Sequence, residues 1–257
     1  MTTASDLFAY TLGLADDALI LGHRLSEWCG RGPMLEEDIA LANLGLDLIG
    51  QARLLYTYAG EVEGRATGKP GRDEDQLAYL RDAHQFRNVL LVERPNGDFA
   101  ATLLRQLVYA AFVHLYFKAL AGSRDARLAD IAAKAVKEMA YHVRHAGEWV
   151  IRLGDGTAES RRRCAEALED LWPFTGELFA MDAGETALAA AGIAVDRAAL
   201  RAGWEATLAP ILREATLARP KDGWMQSGGR QGRHTEHLGH LLAQLQFLQR
   251  AYPGATW

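Results

Sequence analysis

Apolar residues in this chain recur at spacings of three and four for most of its 257 residues, and no stretch alternates apolar and polar long enough to form a strand. That periodicity allows only an all-α fold, in which amphipathic helices bury their stripes against one another. Breaker residues divide the pattern. A first helix is expected over about 5–29, capped by Ser5 and stopped by Gly30, Gly32 and Pro33; a second follows over 34–63. Their short connection makes them antiparallel neighbours. The Gly- and Pro-bearing stretch 64–72 reads as a loop, 74–92 as a third helix, and Phe99–Leu120 and 125–153 as a second long antiparallel pair. Further helices are expected over about 160–182, 196–218 and 234–251. Two long pairs suggest a ferritin-like four-helix bundle, with one domain over 1–257: a core at about 5–153 and additional helices wrapping it from 154 to 257.

Composition narrows the function classes. With 49% hydrophobic and 24% charged residues the chain can bury a large core, and a net charge of −5 lacks the basic face that nucleic acid requires. Two cysteines, Cys29 and Cys164, cannot build a disulfide framework or a Cys-rich zinc site. No basic leader or membrane span is evident at the N-terminus, and the expectation is a cytoplasmic protein with no membrane partner.

The segment "KAVKEMAYHVRHAGEW" (134–149) has the look of half a metal site, because Glu138, His142 and His145 lie on a helix and paired Glu/His helices hold two irons in such bundles. The apolar stripe there is Ala135, Met139, His142, Ala146 and Val150, which points His142 inward and leaves Glu138 and His145 on its flanks. On the second helix the stripe is Leu41, Leu44, Leu48, Gln51 and Leu55. The inward i, i+3 pairs are therefore Leu48 with Gln51 and Met139 with His142, where a di-iron fold needs Glu-x-x-His. Phe99–Leu120 contains no Asp or Glu in any register, so it cannot supply a carboxylate ligand. A neutral set with one His would leave iron under-coordinated and its charge uncompensated. The expected role of Gln51 and His142 is a hydrogen-bonded buried polar pair that holds register, with a retained small-ion or water site as the alternative.

The stretches "SEWCGRGPMLEEDIALANLGLDLIGQAR", "FRNVLLVERPNGDFA", "KAVKEMAYH" and "GRHTEHL" are long matches, and through them the chain resembles the C-subunit family of the bacterial multicomponent phenylacetyl-CoA 1,2-epoxidase (phenylacetyl-CoA monooxygenase). The resemblance covers nearly the whole chain. It implies a ferritin-like, non-catalytic structural subunit of a hetero-oligomer, bound to a homologous di-iron catalytic subunit in aerobic phenylacetate catabolism. Against that sister's pattern, the Glu-x-x-His positions fall on Leu48 and Gln51 and on Met139 and His142, with Glu138 one place early. The first-helix carboxylate falls at Ala18, beside Asp16 and Asp17. The resemblance thus implies no cofactor in this chain, di-iron in the partner, and flavin, iron–sulfur and NADPH in a separate reductase. Arg53, Tyr56 and Tyr58, on the outward side of the second helix, are the candidate interface residues.

Two other readings come from the residues. An independent metalloenzyme could use the cluster His234, Glu236, His237 and His240, although zinc wants three or four convergent ligands and a helix start with polar contacts to a partner suits that stretch better. A free-standing ferritin-like binding protein with another partner is the third.

Overall fold

The computed structural model describes residues 3–255. In chain order its α-helices are α1 (Ala4–Ser26), α2 (Leu35–Thr67), α3 (Glu74–Tyr79), α4 (Leu90–Glu93), α5 (Phe99–Leu120), α6 (Ala126–Gly154), α7 (Ala158–Leu171), α8 (Ala183–Ala190), α9 (Arg201–Glu214), α10 (Glu236–Leu245) and α11 (Phe247–Ala251), with short 3₁₀ turns in some of the connections. No strand occurs among the described residues. The fold is all-α and of the ferritin-like helical kind, carried by the two long helix pairs α1/α2 and α5/α6. The chain divides into two compact units, residues 1–95 with 228–257, and residues 96–227.

The first unit is organised on α1 and α2, which run antiparallel, Asp16 meeting Tyr56 at one end of the contact and Gly22 meeting Gly45 at the other. At that second crossing a Cβ on Gly22 would sit 3.2 Å from the Gly45 carbonyl oxygen, so two glycines permit the close backbone approach. The cap of α1 is Thr3 and not Ser5: the Thr3 hydroxyl accepts from the Asp6 N–H and the Asp6 carboxylate accepts from the Thr3 N–H. Ser5 lies inside the first turn. Helix α2 continues past the expected stop at 63 to Thr67, where Gly68 at φ 67° supplies the left-handed end that only glycine adopts without strain.

The single helix expected over 74–92 is broken into α3, a 3₁₀ turn at Ala83–Gln85 and α4. The cause lies on α1. The N–H groups of Arg87 and Val89 donate to the carboxylates of Asp16 and Asp17, 2.7 Å in each case, so these amides find side-chain acceptors and the chain runs extended between the turns. Residues 228–255 pack into the same unit. Arg230 pairs with Asp17 at 2.6 Å, and α10 and α11 replace the continuous helix expected over 234–251.

The second unit is organised on α5 and α6, also antiparallel, with Phe99 stacked edge-on to Trp149 near one end and His114 beside the Val136 carbonyl towards the other. Asp98 and Asp125 cap these helices through their carboxylates. Helix α5 is long and apolar enough to cross a membrane, but 78% of its most apolar window is buried inside the protein. Helices α7 and α9 pack on the pair, and Trp204 of α9 donates its indole N–H to the Val108 carbonyl at 2.9 Å. The helix expected over 160–182 ends at Leu171, where Pro173 cannot continue the ladder. Asp182 then caps α8, a helix not expected from the periodicity, and a buried ion pair of Arg197 with Glu185, 2.5 Å, ties α8 to the start of the α9 segment. The α9 helix itself is shorter than the expected 196–218.

Candidate functional site

The residues singled out from periodicity fall in both units. On α2, Leu41, Leu44, Leu48, Gln51 and Leu55 are all buried, and Ala18 of α1 is buried too. None of these brings a carboxylate. The neighbouring acids are taken: Asp16 accepts from the Tyr56 hydroxyl at 2.5 Å, from both terminal nitrogens of Arg81 and from the Arg87 N–H, while Asp17 holds Val89 and Arg230. Burial first, and then the Asp16 charge, push the Tyr56 phenol well above its usual range. The guanidinium of Arg81 lies 4.1 Å from the centre of the Phe86 ring, which adds a cation–π contact to the same buried cluster. Asp16 and Asp17 therefore anchor the chain segment that covers α1.

In the second unit the stripe Ala135, Met139, His142, Ala146 and Val150 is buried as the periodicity requires. His145 is buried as well, where its spacing suggests a flank; its ring stacks on Tyr141 at 6.0 Å between centroids. Glu138 is half-buried. The ring of His142 has a buried partner that the spacing does not reveal: the Gln106 amide nitrogen on α5 lies 3.0 Å from His142 Nδ1. With that amide donating, Nδ1 is an acceptor and the ring proton sits on Nε2. Gln106 is detectable as a neutral polar residue on the buried side of an apolar helix, but a search for carboxylates passes over it.

This donor chemistry does not fit a pair of irons. Helix α5 has no acid along its length, the i, i+3 positions of α6 are a thioether and an imidazole bonded to an amide, and those of α2 are an alkyl group and an amide. Among the described residues no three His, Cys, Asp or Glu side chains come together as a metal-holding group.

Among the described residues the stretch after 228 forms no metal-holding group, and His234 is turned towards its own chain. His234 bonds Glu93 through Nδ1 at 2.8 Å and the Phe86 carbonyl through Nε2 at 3.0 Å, and the Thr235 N–H also donates to Glu93. These contacts are to its own chain. Burial alone would lower the His234 pKa, but the Glu93 carboxylate, aided by the Phe86 carbonyl, outweighs it and leaves the pKa raised. Glu236 and His240 are exposed and His237 is half-buried. Of the interface candidates, Arg53 is exposed, with Glu74 3.6 Å away. Tyr56 and Tyr58 are buried, because Tyr56 turns towards Asp16 and both rings are covered by their own chain. These two tyrosines offer no docking surface.

With the geometry in place, comparison with known proteins supplies the family. The model of the phenylacetic acid catabolic protein family matches residues 1–257. The chain belongs to that family. A curated member, the C subunit of the 1,2-phenylacetyl-CoA epoxidase of Escherichia coli strain K12, is 50% identical over 253 residues, covering 98% of this chain and all of that one. Within the phenylacetic acid catabolic family, then, this chain is similar to a named component of an epoxidase along its full length.

Proposed function

We propose that the chain is the non-catalytic structural subunit of a multicomponent phenylacetyl-CoA epoxidase, bound to a homologous di-iron subunit that it supports during aerobic phenylacetate breakdown in the cytoplasm. The donor set supports this reading: where the resemblance puts the iron-holding positions of a ferritin-like oxygenase, this chain has Ala18, Leu48, Gln51, Met139 and His142, and the observation that carries it is that His142 is engaged by Gln106. The similarity to an epoxidase component supplies the reaction to which the chain contributes. In the assembled hetero-oligomer the iron belongs to the partner, and flavin, iron–sulfur and NADPH to the reductase that feeds it electrons. This chain contributes surface and stability.

Omission and add-back test the proposal. Turnover of phenylacetyl-CoA by the remaining subunits should collapse without this chain and return when the purified chain is restored. Full turnover in its absence would overturn the structural-subunit reading.

A further inference from the structure

Residues 228–235 (GGRQGRHT) carry no apolar side chain, yet they lie closed against the segment 84–93 within the first unit. Glycine permits the approach. A Cβ on Gly229 would collide with the Asn88 carbonyl oxygen and one on Gly232 with that of His84, while Gly228 at φ 138° and Gly232 at φ 75° make bends that other residues rarely adopt. With no hydrophobic burial to hold it, the stretch depends on polar contacts. Arg230 donates to Asp17 and to the carbonyls of Gly13 and Arg87, and the Thr235 N–H donates to Glu93. A further anchor is His234, whose Nδ1 lies 2.8 Å from the Glu93 carboxylate and whose Nε2 lies 3.0 Å from the Phe86 carbonyl. Both ring nitrogens face oxygen acceptors. The Glu93 carboxylate also accepts from the Asn88 amide and the Thr235 N–H, one on each oxygen, which favours its ionised form and puts the shared proton on the ring as an imidazolium. A neutral imidazole has a single N–H and keeps only one of the two bonds, setting a lone pair against the other oxygen.

We propose that residues 228–235 are a strap locked by a proton on His234, closed over 84–93 while the ring is charged and released locally when the ring is neutral. Of the strap's charged side chains, Arg230, Arg233 and His234, only the imidazole changes charge near neutral pH. Glu93 of α4 and Asp16 of α1 favour the charged ring. Arg24 of α1, which donates to the Glu93 carbonyl, and Arg87, which donates to the Phe86 carbonyl, oppose it and keep their own charge throughout. Also close are Asp17, paired with Arg230, His84 beside Gly232, and Glu236 and His237 at the start of α10. Burial opposes the charged ring as well, yet the balance leaves its pKa above the ordinary 6.5. The strap is therefore fully closed below that value and loosens as pH rises through the higher value of the closed state. Release stops at α10, because Leu238, Leu241 and Leu242 anchor that helix by apolar burial that does not depend on the ring.

Hydrogen exchange of the full chain by mass spectrometry, corrected for the intrinsic pH dependence of exchange, tests the strap between about pH 6 and about pH 9. In wild type the amides of 228–235 should lose protection roughly tenfold for each unit by which closure raises the His234 pKa, while α1, α2 and α10 keep theirs. The His234→Gln chain should be as weakly protected there at both pH values as wild type is at the higher one. Circular dichroism checks that variant's fold. If it is unfolded, exchange at the His234 C2–H of wild type, which follows the ring's own titration, takes its place, and strap protection must fall in step with it. Strap protection that stays constant while the ring titrates would overturn the proposal. So would a loss spread evenly over the first unit, or a folded His234→Gln chain whose strap still responds to pH.

Discussion

Gln106 on α5 and His142 on α6 face each other across the second unit, amide nitrogen to ring nitrogen, at 3.0 Å with both side chains buried. Deleting either partner alone strands a polar group away from water. Gln106→Leu and His142→Leu should each cost about 1–3 kcal/mol, while the double substitution should cost clearly less than their sum. A double-mutant cycle by urea denaturation measures the difference; strict additivity would show that the two groups do not depend on each other.

Asp16 accepts from Tyr56, Arg81 and the Arg87 N–H in a fully buried cluster. Asp16→Ala leaves the Arg81 charge uncompensated, and a loss of roughly 3–5 kcal/mol is expected. The segment 81–89 should also lose amide protection in hydrogen exchange before the rest of its unit. Protection that falls evenly over the unit would contradict the role assigned to this carboxylate.

His234 links the segment after residue 228 to Glu93, and its pKa is raised above the ordinary 6.5. A base of this kind stabilises the fold in full below its unfolded pKa and loses that contribution as pH climbs through the higher folded value. The stability advantage of wild type over His234→Gln should therefore shrink as pH rises from 6.5 upwards. His23, whose pKa burial lowers, is present in both proteins and cancels in the difference. A difference independent of pH would rule out the charged pair.

Two glycines of α2 should respond in opposite directions. A Cβ on Gly60 would lie 2.1 Å from the Arg72 carbonyl oxygen, so Gly60→Ala should cost about 1–3 kcal/mol. Gly50 has nothing within 4 Å of the same position and sits in mid-helix, so Gly50→Ala should stabilise by about 0.5–1 kcal/mol. Thermal melts of the two variants decide it.

The long helices were legible because each carries its own period and its own terminal signals: Asp98, Asp125 and Gly68 act within one turn of the ends they set. The break between 80 and 90 was not legible, since the acceptors that replace its helical bonds, Asp16 and Asp17, lie about seventy residues upstream. The buried stripes through Leu48 and Met139 followed from spacing alone. The partner of His142 did not, because a hydrogen bond between helices depends on which faces meet. Tyr56 and Tyr58 misled for a similar reason: aromatic residues beside a core stripe suit an interface or an interior equally, and only the position of Arg81 and Asp16 decides which.

Iron stoichiometry tests the central claim most directly. The isolated chain, loaded with ferrous iron under anaerobic conditions and desalted, should retain well under one iron per chain by elemental analysis, because on the proposed reading the residues at the ligand positions are Ala18, Leu48, Gln51, Met139 and His142. Close to two tightly held irons per chain would contradict the account.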